Sequence, residues 1–416
     1  MSARSTIDYT LFILRESGRS FAGNRGLEKA AMLAYYSLFS LFPLLTLVLF
    51  LLGRFLVSSQ KALQGLQSVV TRIFPLFSDV VTREVFALAA QRTWGFVSLL
   101  ILFWGVTPLT SALRRTFDAI FKTDRGLPYL TEKLLDIVAG LGMMLLLLAL
   151  VAGEIAYSVA IRRVPVQLSV LMRVGERLTP LLITILLLTL VLLAYAPVRL
   201  RLWPALAGAA VTALLLAVLG PLFTAVLKFN PNYGFMFGSL KALFLLLVWV
   251  YAAFAAILVG VEVCANLHRG EALLVRELLS SANKGRSVER LARLTQNWAA
   301  GTVVFQEGEP GDTMFYIVAG AVTLSREGRP LRVLGAGEYF GEMAMLLKCP
   351  RTATATVTAP DTRLIAIAAP NMETVLRESP ALVLTLLREM AGRLRHTDEL
   401  LPPAPAANIP DHAPET

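Results

Sequence analysis

The sequence predicts a polytopic α-helical membrane domain of six transmembrane helices, followed by a small α+β domain built as a β-roll with C-terminal helices. Three observations predict it. Apolar runs of roughly 20 residues, the length that crosses a bilayer, crowd residues 30–267. From residue 268 the composition becomes that of a soluble protein, and from 301 short strand-like runs alternate with turn clusters. The chain as a whole is 56% hydrophobic and 16% charged, against roughly 25% charged in soluble domains. That average hides two differently built parts.

The six apolar segments run over about 30–53, 94–113, 135–157, 178–197, 204–227 and 240–263. Pro43, Pro108, Pro197 and Pro221 lie in or near them, as kinks that shape a bundle or as helix ends. Glu154, Lys241 and Glu262 fall near segment ends, where long polar side chains either reach the interface or line a polar cavity inside the bundle. Residues 5–28 and 61–92 flank the first segment. Leu63, Leu66, Val69, Val70 and Ile73 recur there at helical spacing beside Lys61 and Arg72, the pattern of a helix lying on a membrane surface. The expected organisation is an amphipathic N-terminal segment at 1–29, a transmembrane domain at 30–267, a helical connector at 268–299, a ligand-binding domain at 300–399 and a disordered Pro/Ala-rich tail at 400–416.

The formal net charge is +10. No Lys/Arg block is interleaved with aromatics, so the basic balance points to a lipid bilayer as partner and to no nucleic acid. Cys264 and Cys349 have neither metal-type nor disulfide-framework spacing. His268, His396 and His412 are scattered, and none sits in a carboxylate cluster that would activate water, so nuclease chemistry is not expected. The N-terminus shows no cleavable signal pattern.

In the connector, Leu273, Leu274, Leu278 and Leu279 line one helix, and Val288, Leu291 and Leu294 a second, with a turn at Asn283-Lys284-Gly285. Beyond it, the runs VVF, MFYIV, AVTLS, LRVL, TATATV and RLIAIA read as strands. Glu307–Asp312, Ala319-Gly320, Glu327–Pro330 and Gly335–Gly337 read as turns. Residues 371–398 return to helical spacing.

One stretch, GEYFGEMAMLLKCPRTATATV at 337–357, has the look of a ligand cradle. Gly341 allows close backbone approach. Glu342 can accept a bond from a sugar hydroxyl. A helical turn at Ala344–Leu346 would aim free amides at an anion. Arg351 brings a planar, permanently charged fork suited to phosphate, and Thr352 a hydroxyl. One arginine, one sugar acceptor and one anion describe a cyclic nucleotide.

The membrane part resembles the YihY/BrkB family of bacterial inner-membrane proteins, some of which carry the old label ribonuclease BN. The resemblance rests on AAMLAYYSLFSLFPLL at 30–45 and on Tyr233, Gly234, Trp249, Tyr251, Gly260, Glu262 and Ala265, with Cys264 where the family usually has Asn. Residues 300–398 resemble a cyclic nucleotide-binding domain, through Phe340-Gly341-Glu342-Met343-Ala344-Met345 and Pro350-Arg351-Thr352-Ala353-Thr354. This second resemblance implies a ligand set of Gly341, Glu342, Met343, Ala344, Arg351 and Thr352. Glu342 would hold the ribose 2′-hydroxyl, Arg351 the cyclic phosphate, Gly341 and Ala344 would offer amides, and helix 381–398 would close over the base.

Together the two resemblances imply a non-enzymatic, multi-pass inner-membrane protein with both termini cytoplasmic and no metal or cofactor. Its regulatory ligand is cAMP or cGMP, with cAMP favoured, and the membrane part is a transporter or channel. The alternative is a membrane scaffold that reports a nucleotide signal. A homo-oligomer is compatible with either. No helix-turn-helix follows the roll, and no kinase, cyclase or phosphodiesterase motif is present.

Overall fold

The computed structural model describes residues 3–55, 94–123, 130–140, 169–229, 241–279 and 295–379, with isolated residues at 128, 142 and between 382 and 392. The chain divides into two compact units, Thr10–His268 and a second made of Met1–Tyr9 with Arg269–Thr416. The predicted amphipathic stretch 61–92, the third apolar segment beyond 142, Glu154, the tail 400–416 and most of helix 381–398 lie outside the described residues.

The first unit is helical. Its elements are α1 (Ala3–Gly23) from Thr10 onward, α2 (Gly26–Phe55), α3 (Trp94–Phe121), α4 (Ser169–Tyr195), α5 (Leu202–Phe229) and α6 (Lys241–His268), with a further helical stretch at 130–140. Pro108 and Pro221 sit inside continuous helices, whereas Pro197 follows the end of α4. Helix α3 runs two turns past its apolar segment. The sequence places a boundary at Arg114-Arg115, but Arg114 is buried against the Asp136 carboxylate at 3.0 Å, so the charge does not end the helix. Phe117, Ile120 and Phe121 then join the core with Leu33, Leu109, Leu258 and Val261.

Helices α5 and α6 approach backbone to backbone. A Cβ on Gly208 would lie 2.5 Å from the Gly260 carbonyl, and one on Gly260 would collide with Thr212. Small residues at a crossing are what lets membrane helices pack without a hydrophobic drive between them. The opposite faces remain open: Leu182, Leu186, Leu190 and Leu193 on α4, and Leu214, Val218, Leu222 and Val226 on α5, are exposed. In a soluble protein such stripes would be a liability. Among the described residues, Leu202–Val226 and Leu243–His268 are each long and apolar enough to cross a membrane.

Glu262 departs from the expectation of interfacial snorkelling. It is 1% exposed and accepts a 2.6 Å bond from Asn24 Nδ2 at the end of α1. One turn on, Asn266 donates to Ser17 Oγ at 3.1 Å. These buried polar bonds tie α1 to the end of α6.

The second unit opens with α7 (Gly270–Leu279), followed by eight strands. They are β1 (Thr295–Trp298), β2 (Val303–Phe305), β3 (Thr313–Ala319), β4 (Ala321–Arg326), β5 (Arg329–Gly335), β6 (Tyr339–Phe340), β7 (Thr354–Val357) and β8 (Thr362–Ala368). Two four-stranded antiparallel sheets result, in the orders β1-β8-β3-β6 and β2-β7-β4-β5. They enclose Phe305, Ile317, Val322, Leu334, Phe340, Ala355, Val357 and Leu364. The short α8 (Glu342–Leu347) interrupts the second half of the roll, and α9 (Ala369–Glu378) follows β8.

The predicted helical connector does not extend to 299. Thr295–Trp298 pairs with Thr362–Ile365 as a strand, and Trp298 packs against the roll core. Thr and Asn are indifferent helix formers, and an open ladder edge on β8 outweighs the helical spacing that precedes them.

Candidate functional site

Arg351 is the centre of the site, and the chain encloses it from three directions. On its backbone, Gly308 N donates to the Arg351 carbonyl at 2.8 Å, and Arg351 N donates to the Glu309 carbonyl at 2.8 Å. Glu307 N reaches Thr354 Oγ1 at 3.0 Å, so the 306–309 turn grips the start of β7 as β2 pairs with it. The predicted turn cluster thus becomes a clamp on the arginine.

The side chain runs inward and is only 6% exposed as a residue. Its Nη1 donates to the Gly341 carbonyl at 2.9 Å and its Nη2 to the Thr313 carbonyl at 2.8 Å. The guanidinium carbon stands 4.1 Å from the centroid of the Phe305 ring, a cation–π contact. Phe305 is fixed in turn by Phe315 and Phe340, whose rings stack at 5.5 Å. Burial lowers the Arg351 pKa from its ordinary value; the carboxylates of Asp312 and Glu309 act in the opposite sense. The guanidinium stays charged, since arginine starts far above neutral.

Two glycines let the backbone close on the guanidinium. Gly341 has φ 80°, the left-handed region, and a Cβ there would lie 2.7 Å from Arg351 Nη1. Gly311 lies flat against the guanidinium, and a Cβ there would collide with Nε, Cζ and Nη2. Against this tight surround, Arg351 Nε is buried and has no hydrogen-bond partner among the described residues. A buried unsatisfied donor on a cation is costly, and an anion is what would satisfy it.

The structure therefore joins Gly341 and Arg351 directly. Ala344 is buried, Glu342 and Gly341 are half-buried, and Met343 and Thr352 are exposed. Phe305, Gly311 and Thr313 contact Arg351, although the sequence reading did not select them. Gly311 stood in a recognised turn cluster and could have been read as a close-approach glycine. Phe305 and the Thr313 carbonyl carry no sequence signal of their own.

A family model described as "Virulence factor BrkB" matches residues 18–281. The chain belongs to the BrkB family. A second model, "Cyclic nucleotide-binding domain", matches residues 295–379, which hold the whole Arg351 site. This BrkB-family chain is 27% identical over 266 residues to the "UPF0761 membrane protein" of Laribacter hongkongensis, covering 62% of this chain and 61% of that protein. The chain is 33% identical over 137 residues to the "CRP-like cAMP-activated global transcriptional regulator" of Mycobacterium tuberculosis, covering 30% and 61%. It is 39% identical over 94 residues to the "Cyclic nucleotide-gated potassium channel" of Rhizobium etli, covering 23% and 26%. The chain thus spans less than two thirds of the length of these relatives. The BrkB-family chain is a membrane protein that carries a cyclic nucleotide-binding domain, and neither matched family is an enzyme family.

Proposed function

We propose that this BrkB-family protein is a six-span, inner-membrane transporter or channel whose state is set by a cytoplasmic cyclic nucleotide, cAMP in preference to cGMP. The observation that carries the ligand reading is Arg351, a buried guanidinium with an unpartnered Nε set between two glycines. In this reading the cyclic phosphate takes Nε–H and the remaining guanidinium hydrogens, while the Gly341 and Ala344 amides and the Thr352 hydroxyl add donors. Glu342 accepts from the ribose 2′-hydroxyl, and Met343 lies at the pocket wall. The likeness to the cAMP-activated regulator supports a cyclic nucleotide ligand, and the likeness to the gated channel supports a membrane effector.

Coupling is supported by chain continuity. Helix α6 ends at His268, and the next residue, Arg269, makes a buried 2.8 Å ion pair with Glu378 at the end of α9. Asn371 of α9 bonds Glu271 of α7 at 3.2 Å. A ligand that moves α9 therefore pulls on the residue that leaves the membrane helix, provided it binds the two states with different affinity.

Calorimetry on the full chain in detergent, with cAMP, cGMP and cyclic dinucleotides, tests the ligand. The expected result is saturable cAMP binding that falls at least about tenfold in Arg351→Lys, which keeps the charge but loses the fork. Equal binding by both proteins would overturn the assignment. Ion or solute flux in proteoliposomes with and without cAMP tests the effector, and no flux under any ligand condition would leave a nucleotide-reporting scaffold instead.

A further inference from the structure

Helix α1 carries an apolar stripe that the described residues leave uncovered. Ile7, Leu11 and Leu14 are 58%, 59% and 45% exposed, at the i, i+4, i+7 spacing of one helix face. Arg15 and Arg19 are also exposed and lie one residue further round the same helix, so they border the stripe along one edge. The helix is not loosely placed. Ile13 and Ser17 are buried, Ser17 Oγ accepts from Asn266, and Asn24 at the end of α1 donates to Glu262. At about 100° per residue, that anchored side lies a quarter to a third of a turn from the stripe. One side of α1 therefore grips the end of α6, and the adjacent side presents leucines edged by arginines.

We propose that α1 is an interfacial helix that seats Ile7, Leu11 and Leu14 among lipid acyl chains while Arg15 and Arg19 hold anionic phospholipid headgroups. Two observations select lipid over a protein partner. The first is charge: the exposed ionisable groups of α1 beside the stripe are Arg15, Arg19 and Asp8, two cations against one anion, and the carboxylate of Glu16, 3.9 Å from Arg19, is largely buried and leaves that guanidinium exposed, which fits anionic headgroups. The second is continuity with the membrane surface. Only Asn24 and Arg25 separate α1 from α2, on which Met32, Tyr35 and Phe39 are exposed along one face, the two rings 4.8 Å apart. Exposed Tyr and Phe at the start of a bilayer helix mark the headgroup level, and α1 leads into that level. Because α1 is bonded to Glu262 and Asn266 of α6, headgroup charge then bears on the end of the helix that runs into Arg269. The inference does not depend on the nucleotide reading.

The test uses the full chain with Cys349→Ser, since Cys264 is buried, and a nitroxide at Leu11→Cys, Leu14→Cys or Asp8→Cys. Each is reconstituted in nanodiscs of phosphatidylcholine alone or mixed with phosphatidylglycerol, and relaxation by oxygen is compared with relaxation by a water-soluble nickel chelate. Positions 11 and 14 are expected to favour oxygen in the mixed lipid, while position 8 favours nickel. Each arginine beside an anionic surface contributes about fivefold to the association equilibrium, so Arg15→Gln/Arg19→Gln shifts it about 25-fold and returns both sites toward water. Nickel access at 11 and 14 in both lipids would overturn the proposal. So would shielding from both reagents, the mark of a protein partner or second copy, and so would indifference to lipid charge and to the arginine change.

Discussion

Replacing Arg351 with alanine removes more than a ligand contact, and the structure says by how much. The guanidinium satisfies two backbone carbonyls, Gly341 at 2.9 Å and Thr313 at 2.8 Å, and covers the Phe305 ring. Each orphaned buried acceptor costs about 1–3 kcal/mol, and the lost cation–π contact about 1 kcal/mol. The expected destabilisation of the roll is therefore about 3–7 kcal/mol, a large share of the 5–15 kcal/mol that holds a domain together. Hydrogen exchange on the full chain in detergent, without nucleotide, reads this directly. Peptides from β3 and from the 306–312 turn should exchange roughly a hundredfold faster or more, at tenfold per 1.4 kcal/mol. If protection of those peptides changes by less than about fivefold, corresponding to about 1 kcal/mol, Arg351 does not hold the roll together and its burial has been misread. If Arg351→Lys keeps protection while losing cAMP, the structural and ligand roles of the residue are separated.

Three further outcomes are expected. Gly311→Ala pushes a methyl into the Arg351 guanidinium and should weaken cAMP binding by about tenfold or more, at 1.4 kcal/mol per decade; Gly335→Ala, with open space around it, should leave calorimetric affinity unchanged. Glu378→Ala strips the buried Arg269 of its carboxylate and should cost about 3–5 kcal/mol, seen as a lower thermal midpoint of the second unit, whereas an unshifted midpoint would show the pair to be idle. Gly260→Ala must displace Thr212 or the Gly208 carbonyl, 2.5 Å from the added carbon. The expected loss is about 1–3 kcal/mol, read as faster thermal inactivation in detergent, and a stabilised protein would disprove the close α5–α6 crossing.

Much of the roll was legible in the chain. The strand runs and turn clusters lie where the sheets form, because a half-buried pleat imposes a two-residue period and glycine-rich turns have few other conformations. The contact between Gly341 and Arg351 was foreshadowed because a close-approach glycine and an arginine are types with narrow chemical uses at close spacing. Other features were not. Trp298 lies in a strand because β8 offers it a ladder, a partner 64 residues or more away in the chain. Arg114 continues a helix because Asp136 neutralises it, and Glu262 is buried because Asn24 reaches it. In each case a local rule about charge or propensity yields to a partner supplied from elsewhere.

Composition and periodicity alone determined that this chain has a membrane part and a soluble roll, since bilayer length and sheet pleat act on consecutive residues. Residue type at short range singled out Arg351 as the centre of the candidate site. Only the tertiary structure decided how that arginine is held: two carbonyls, one aromatic face and two glycines, drawn from three separate segments, enclose it and leave one N–H without a partner among the described residues. The physical reason is that burial and hydrogen-bond satisfaction are sums over neighbours in space, and those neighbours are assembled by the sheets rather than by the order of the chain.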